Sequence, residues 1–436
     1  MLKKITLFFA IVISLNLNAQ VFDSVKVMAY NLLNYGNNTS FCTGANNGIT
    51  SKNAHLKTIV QHVKPDVLMC NELGLSVTNS SSILNNALNA DGITSWERVV
   101  CSNSVGSSLV NGFFFNKEKF SFYRQRNVSK DTANSNLVRD IDIISLFYNE
   151  PQLAIGADTI FIHFVITHLK AGNTAADEID RGKMTRALMK FLANNNYQGN
   201  VVIGGDFNLY RSTETAYQDL VNFWENPNIR FNDIINPNKT TQIWTNNASF
   251  SNFHTQSTTT TSGCFSGGGM DDRFDFILIS NDIKNGTKGV TAKLNSYRAL
   301  GQDGIRFNNS IDVPTNTTQP ANVIAALKGL SDHIPVYLEL KIERTTLSLK
   351  TEKENLKWNY QNPIQENLKI WVENTNNESY EIQAFDLMGK LVWGKKNILA
   401  QNNMIQENIA NLAPGTYIFL LSNSKGEKGF GRIIKN

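Results

Sequence analysis

Val201–Asn208 reads VVIGGDFN. Its three leading β-branched residues make a short strand with no polar face, as a strand covered on both sides requires. Gly204 and Gly205 follow, residues without a Cβ that let a neighbouring backbone or a substrate come close. The run then stops on Asp206 and Asn208, two apart and so on one face of an extended chain. A carboxylate and an amide at the end of a buried strand can serve a hydrolytic site. The same three residues alone would also fit an Asx turn.

The pattern recurs five more times. VKVMAYN (Val25–Asn31) ends on Asn31, PDVLMCNE (Pro65–Glu72) on Glu72 and FIHFVITH (Phe161–His168) on His168. DRFDFILIS (Asp272–Ser280) and SDHIPVYLEL (Ser331–Leu340) reverse the order, with Asp275 and the pair Asp332-His333 preceding their apolar runs. Two strands that begin on polar residues, laid antiparallel to four that end on them, gather all six on one rim. Packing alone does not ask for that convergence. Alternation places Val25, Val27, Ala29 and Asn31 on one face, and Leu68, Cys70 and Glu72 on another. His163 has the opposite parity to His168 and should face away from the rim.

Helix signals lie between the strands. One spans Ser51–Val63, with Ser51 as its cap and Pro65 beyond its end. A second runs from about Thr174 to Leu192, with Thr174 as cap, Asp177 and Glu178 in the first turn, and Met184, Leu188, Phe191 and Leu192 on one face. The polar stretches Ser249–Gly269 and Gly301–Pro320 read as rim loops beside the site.

In order, context and spacing, the six motifs resemble the endonuclease/exonuclease/phosphatase superfamily over roughly residues 23–343. The resemblance implies a four-layered α/β/β/α sandwich of two mixed sheets flanked by helices, and in-line attack of water on a phosphodiester. It implies Asn31, Glu72 and Asp332 as hard oxygen donors for Mg²⁺, with Mn²⁺ or Ca²⁺ as alternatives. Asp206 would be the general base and Asn208 would orient phosphate or water. His333 would donate to the scissile phosphate, its other nitrogen held by Asp275. His168 would be a second imidazole on the phosphate, and Arg139 in LVRDI a further phosphate contact. The chain departs from the pattern at Asn71, where many relatives carry Gln. It also shows no carboxylate to pair with the first histidine, as deoxyribonuclease I has. A Gly-x-Ser-x-Gly elbow and a P-loop are both missing from the sequence, which excludes those hydrolase classes.

At 436 residues the chain predicts a large domain and a smaller one. Residues 1–19 read as a secretory signal, with Lys3 and Lys4 ahead of the apolar Ile5–Leu15 and Ala19 before the cut. The formal charge is +4, and losing the two signal lysines leaves +2. That balance gives no global drive toward polyanions. Export permits disulfides; Cys42 and Cys264 lie in polar loops and form the favoured pair, while Cys70 reads as a small buried apolar residue.

The catalytic domain is expected over 21–345 and a linker over 346–365. From 366 to 436, NLKIWVEN, YEIQAFDLMGKLVWGK, LAPGTYIFLLSN and GRIIKN alternate around turns at Gly389 and Pro414-Gly415, predicting a small all-β sandwich. YQNPIQENLKI, AFDLMGKLVW, LAPGTYIF and GRIIKN resemble the C-terminal sorting domain of type IX secretion substrates. That resemblance implies contact with the secretion machinery and a protein secreted from, or attached to, a Gram-negative cell. No exposed aromatic trio points to sugar binding. The expected function is a secreted, metal-dependent phosphodiesterase, an endonuclease on nucleic acid, with DNA the foremost substrate. The alternatives are a phospholipase C or sphingomyelinase-like enzyme or a phosphatase, and, from another class, a non-catalytic surface protein on the same fold. The mature chain is expected to insert into no membrane.

Overall fold

The computed structural model describes residues 21–150, 159–344, 356–373, 378–387 and 389–436. The expected signal and the first half of the expected linker lie outside these residues. Two compact units separate within them, one ending at Arg344 and one formed by the C-terminal residues.

The first unit opens with β1 (Val21–Tyr35), α1 (Ile49–Val63), β2 (Val67–Gly74), α2 (Val77–Ile83), β3 (Trp96–Val99) and β4 (Leu109–Asn116). It continues through β5 (Phe120–Lys130), β6 (Asn136–Tyr148), β7 (Phe161–His168), α3 (Ala175–Asn194), β8 (Val201–Asp206), α4 (Thr215–Asn222) and β9 (Phe231–Asp233). β10 (Asp275–Ser280), α5 (Asn281–Asn285), β11 (Val290–Ala292), β12 (Arg298–Ala299), α6 (Ala321–Leu330) and β13 (Val336–Arg344) complete it.

These strands form two mixed sheets. One runs β11-β13-β1-β2-β4-β3, with β12 beside β13; the other runs β5-β6-β7-β8-β10-β9. β1 and β2 are parallel, as are β7 and β8, whereas β13 is antiparallel to β1 and β10 is antiparallel to β8. The strands that begin on polar residues therefore run against those that end on them, and the polar ends meet on one rim.

The sheets close face to face on an apolar interior. Phe113 of β4 and Phe164 of β7 meet there with ring centroids 5.6 Å apart, both fully buried. Truncating such a phenylalanine to Ala costs about 3–5 kcal/mol. α1 and α6 contribute Leu56, Ile59 and Leu327 to this core from one side. α3 and α4 bury Leu188 and Leu220 against the outer face of the second sheet, alongside Val165 and Ile203. The result is the α/β/β/α sandwich.

Two local expectations are revised. α1 starts at Ile49, with Gly48 as its N-cap and no side-chain cap bond, because Ile49 packs against the core and draws the helix back. Ser51 instead lies one turn from His55, its Oγ 3.2 Å from the ring Nε2. The polar stretches 249–269 and 301–320 are also not simply exposed rims. His254, Thr255, Thr258 and Ile311 are wholly buried. The stretches pack inward because their polar groups find partners, as when Thr258 Oγ1 donates to the Ser331 carbonyl. α3 matches its expected cap, with Thr174 and Asp177 exchanging hydrogen bonds as a capping box.

The C-terminal unit is all-β. β14 (Trp358–Tyr360), β15 (Asn367–Val372), β16 (Ser379–Phe385), β17 (Leu391–Leu399), β18 (Met404–Asn408), β19 (Gly415–Asn423) and β20 (Lys428–Lys435) form sheets β14-β15-β18 and β17-β16-β19-β20. Alternation puts Leu368, Ile370, Ile382, Phe419 and Leu421 inside. Trp358 and Tyr360 lie against Gly429 and Gly431, where a Cβ would come within 2.3 and 2.7 Å of their rings.

Candidate active site

The rim assembles around Asn31. Its Nδ2 donates to Glu72 Oε1 and to Asp206 Oδ2, each at 3.0 Å, while its Oδ1 accepts the Leu33 N–H at 2.9 Å. One amide thus bridges two carboxylates that would otherwise repel. Glu72 Oε2 also accepts the Asn34 N–H at 2.9 Å. Strand alternation alone does not aim Glu72. Its φ is +64° and β2 slips register between Cys70 and Leu73, so a local left-handed kink turns the side chain inward.

His168, at the end of β7, places Nε2 3.6 Å from Asp206 Oδ2 and 3.9 Å from Glu72 Oε1. Ligand-capable atoms of Glu72, His168 and Asp206 all lie within 4.8 Å of one another. Two hard carboxylates and an imidazole, converging at the mouth of a buried rim, fit a divalent cation.

Asp206 and Asp275 are directly paired across β8 and β10. His333 Nδ1 meets Asp275 Oδ2 at 2.7 Å, and its Nε2 stands 3.8 Å from Asp206 Oδ2. Burial, reinforced by the charges of Asp275 and Glu72, pushes the Asp206 carboxyl up to about 7, against the pull of His333 and Asn31. Burial works to discharge His333, but Asp275 and Asp206 outweigh it and hold the ring well above the ordinary histidine range. His168 goes the other way: burial, then Arg139 and His333, keep it well below. Two imidazoles on one rim are driven apart in protonation, a pattern suited to a division of labour.

The remaining expected residues fall as follows. Asn208 has φ +48°; its backbone N–H donates to Asp206 Oδ1 at 3.0 Å and its amide to the Leu169 carbonyl at 3.2 Å. Arg139 on β6 donates to that same carbonyl at 3.2 Å and feels the charges of Glu72 and Asp206. Asp332 stands apart from the Glu72–His168–Asp206 group. Its Oδ2 accepts Gln256 Nε2 at 3.1 Å and the Ser266 N–H at 3.0 Å. His163 packs edge-on against Tyr197 and bonds Ser145 Oγ, away from the rim. Gly204 and Gly205 admit protein rather than substrate: a Cβ there would come within 2.4 Å of Met69 Cε and 2.0 Å of the Thr167 carbonyl.

Three supporting residues receive no role from the sequence. Asn71, wholly buried, accepts the Asp206 N–H at 2.9 Å and donates to Asn111 Oδ1 and the Thr167 carbonyl, tying both sheets together at the rim. Lys52 of α1 buries its ammonium between the carbonyls of Leu32 (2.7 Å) and Leu330 (2.6 Å), next to the segments bearing Asn31 and Asp332. Gln256 faces His333 Nε2 at 2.9 Å. The only sequence cue for the first two is a polar residue inside an apolar run or on a helix's apolar face; Gln256 has none. Cys42 and Cys264 are bonded, joining the loop after β1 to the Ser249–Gly269 stretch, while Cys70 and Cys101 remain free.

Residues 359–436 match the family model described as the secretion system C-terminal sorting domain. The tail is a sorting domain. The protein that carries this sorting domain is exported, either secreted or held at the cell surface. No helix among the described residues is long and apolar enough to cross a membrane. The chain is similar to the human Nocturnin catalytic domain at 13% identity and a TM-score of 0.47, covering 74% of this chain and 96% of that one. It is similar to an endonuclease/exonuclease/phosphatase from Bacteroides vulgatus at 14% identity and a TM-score of 0.45, covering 74% and 100%. It is also similar to D. rerio TDP2 complexed with a single-strand DNA product, at 12% identity and a TM-score of 0.41, covering 73% and 98%. No curated protein matches the sequence.

Proposed function

We propose that residues 21–345 form a metal-dependent phosphodiesterase whose substrate is a nucleic acid, DNA foremost, delivered outside the cell by the sorting domain. In this reading residues 1–19 are the signal, 346–365 the linker and 366–436 the sorting unit. One observation carries the proposal: a cation-capable group of Glu72, His168 and Asp206 shares its rim with a histidine whose far nitrogen is held by Asp275.

Asp206 is the base that removes a proton from the attacking water. Its carboxylate is aimed by the Asn31 amide and by the backbone N–H of Asn208. His333, kept charged by Asp275, presents Nε2–H to a non-bridging phosphate oxygen and stabilises charge as it grows in the transition state. His168, held neutral, and Arg139 approach the phosphate from the β6–β7 side. A divalent cation, Mg²⁺ in this reading, would rest on Glu72 and its neighbours in that group and would supply Lewis-acid charge stabilisation. The Asp332 carboxylate is taken instead by Gln256 and Ser266, and the Asn31 amide turns its N–H groups, not its oxygen, toward Glu72 and Asp206. No covalent intermediate is required.

Supercoiled plasmid incubated with the purified mature chain in Mg²⁺ tests the reading. Nicking that both EDTA and Asp206→Asn abolish supports it. Intact plasmid, with bis(p-nitrophenyl) phosphate still cleaved, moves the substrate to lipid head groups or small diesters. If neither is cleaved, the phosphodiesterase assignment falls.

A further inference from the structure

His333 spends only one ring nitrogen on its ion pair with Asp275, which leaves Nε2 facing the site. What Nε2 meets there is the carboxamide of Gln256, whose Nε2 lies 2.9 Å away. The same amide nitrogen donates to Asp332 Oδ2 at 3.1 Å. Main-chain geometry puts it there. Gln256 bridges antiparallel to Asp272 on one side and to His333 on the other. Residues paired across such a bridge carry their side chains on the same face. The Asp272 N–H donates to the Gln256 carbonyl at 2.9 Å, the Ile334 N–H to the Thr255 carbonyl at 2.8 Å, and the Thr258 N–H to the Asp332 carbonyl at 2.9 Å. The flanking Thr255, Ser257 and Thr258 are buried, so the segment is clamped on both sides of Gln256.

With the proton on His333 Nε2, the ring N–H and the amide N–H are two donors facing one another that cannot bond each other, so the contact marks the place of an acceptor oxygen that satisfies both. We propose that Gln256 is a phosphate-binding residue: its carboxamide, anchored on Asp332, occupies the position on His333 Nε2 that a phosphoryl oxygen takes. This rests on the phosphodiesterase reading. That oxygen accepts from His333 Nε2–H and from the Gln256 N–H that faces it, so no proton changes place when it arrives. The rim already holds Asp206, Asp275 and Asp332, so a neutral donor anchored to a carboxylate adds a hydrogen bond to the anion without adding another negative charge.

The test is the affinity of the mature chain for inorganic phosphate in Mg²⁺, by isothermal titration, alongside KM and kcat on bis(p-nitrophenyl) phosphate. Gln256→Met keeps the shape and removes the donors, and Gln256→Ala is the second variant should the thioether pack badly. Losing a hydrogen bond to an anion should weaken phosphate binding roughly 10- to 100-fold and raise KM by more than it lowers kcat. A role confined to holding the loop would instead lower the thermal midpoint and leave phosphate affinity unchanged. Unchanged affinity in a folded variant, or a wild-type chain that binds no phosphate, overturns the proposal. Gln256-dependent phosphate binding without turnover of any phosphodiester would leave Gln256 standing and remove the proposed function.

Discussion

Asp206 and Asp275 stand opposite one another on antiparallel strands, yet their carboxylates take different partners. Asp275 closes on His333 Nδ1 at 2.7 Å, whereas Asp206 takes the Asn31 amide and stays 3.8 Å from His333 Nε2. One strand pair therefore carries both the group that orients the imidazole and the group that titrates near neutrality. Four consequences can be measured.

Replacing Asp206 by Asn should cost activity and add stability. Loss of the base is expected to lower kcat by roughly 10²- to 10⁴-fold. The carboxyl titrates at about 7 in the folded chain against an ordinary value of 3.8. A raised carboxyl costs nothing below the unfolded value and its full penalty above the folded one. The variant's gain in metal-free protein should therefore be complete above pH 7, on the order of a few kcal/mol, and vanish toward pH 4. Urea denaturation at pH 4.5 and pH 8 checks it; equal gains at both would refute the assignment.

A cation must displace the proton that Asp206 holds below about pH 7. Mg²⁺ affinity should rise with pH up to that value and flatten beyond it. Calorimetry in buffers of different ionisation enthalpy should register proton release at pH 6 and almost none at pH 8.5.

Lys52→Met should strip a brace from beneath the rim. It leaves the carbonyls of Leu32 and Leu330 without their ammonium, at about 1–3 kcal/mol for each buried group left unpaired. Burial lowers the lysine from 10.5 to about 7, so between those values the unfolded chain holds a proton that the folded chain releases. Wild-type stability gains from this group as pH rises from 7 toward 10, and the variant loses that gain. The gap between the two midpoints should widen over that range.

Reduction of Cys42–Cys264 should loosen both walls of the site. The bond closes a separation of 222 residues, for which chain entropy alone predicts up to about 5 kcal/mol. One wall carries the Asn34 N–H on Glu72, and the other carries Gln256 and Ser266 on Asp332. The Cys42→Ser, Cys264→Ser double variant should melt lower and show a raised KM; a lower melt with unchanged KM would confine the bond to stability.

Much of this arrangement is legible from local pattern. Asp206, His168 and Asp275 announce themselves because hydrophobic runs ending on a polar residue mark strand ends, and burial makes that mark costly to counterfeit. Gln256 announces nothing. It sits in a polar stretch without alternation, and its partner His333 lies 77 residues away. Asn71 is hidden for the opposite reason, being one polar residue in an apolar run whose three partners come from other strands. Glu72 was placed by alternation on the right rim, but its aim depends on a φ of +64° that alternation does not encode.

The strands, the side of the sheet pair on which their polar ends collect, and the sorting tail are all legible locally, because hydrophobic periodicity and turn chemistry act over a few residues. Which donors meet is set by the packed fold. It put Asn31 between two carboxylates that lie 41 and 175 residues from it, drew Asp332 toward Gln256 and Ser266, and set the two imidazoles at opposite protonation. Hydrogen bonds and charge coupling act over a few ångströms, and no local pattern says which distant segments come that close.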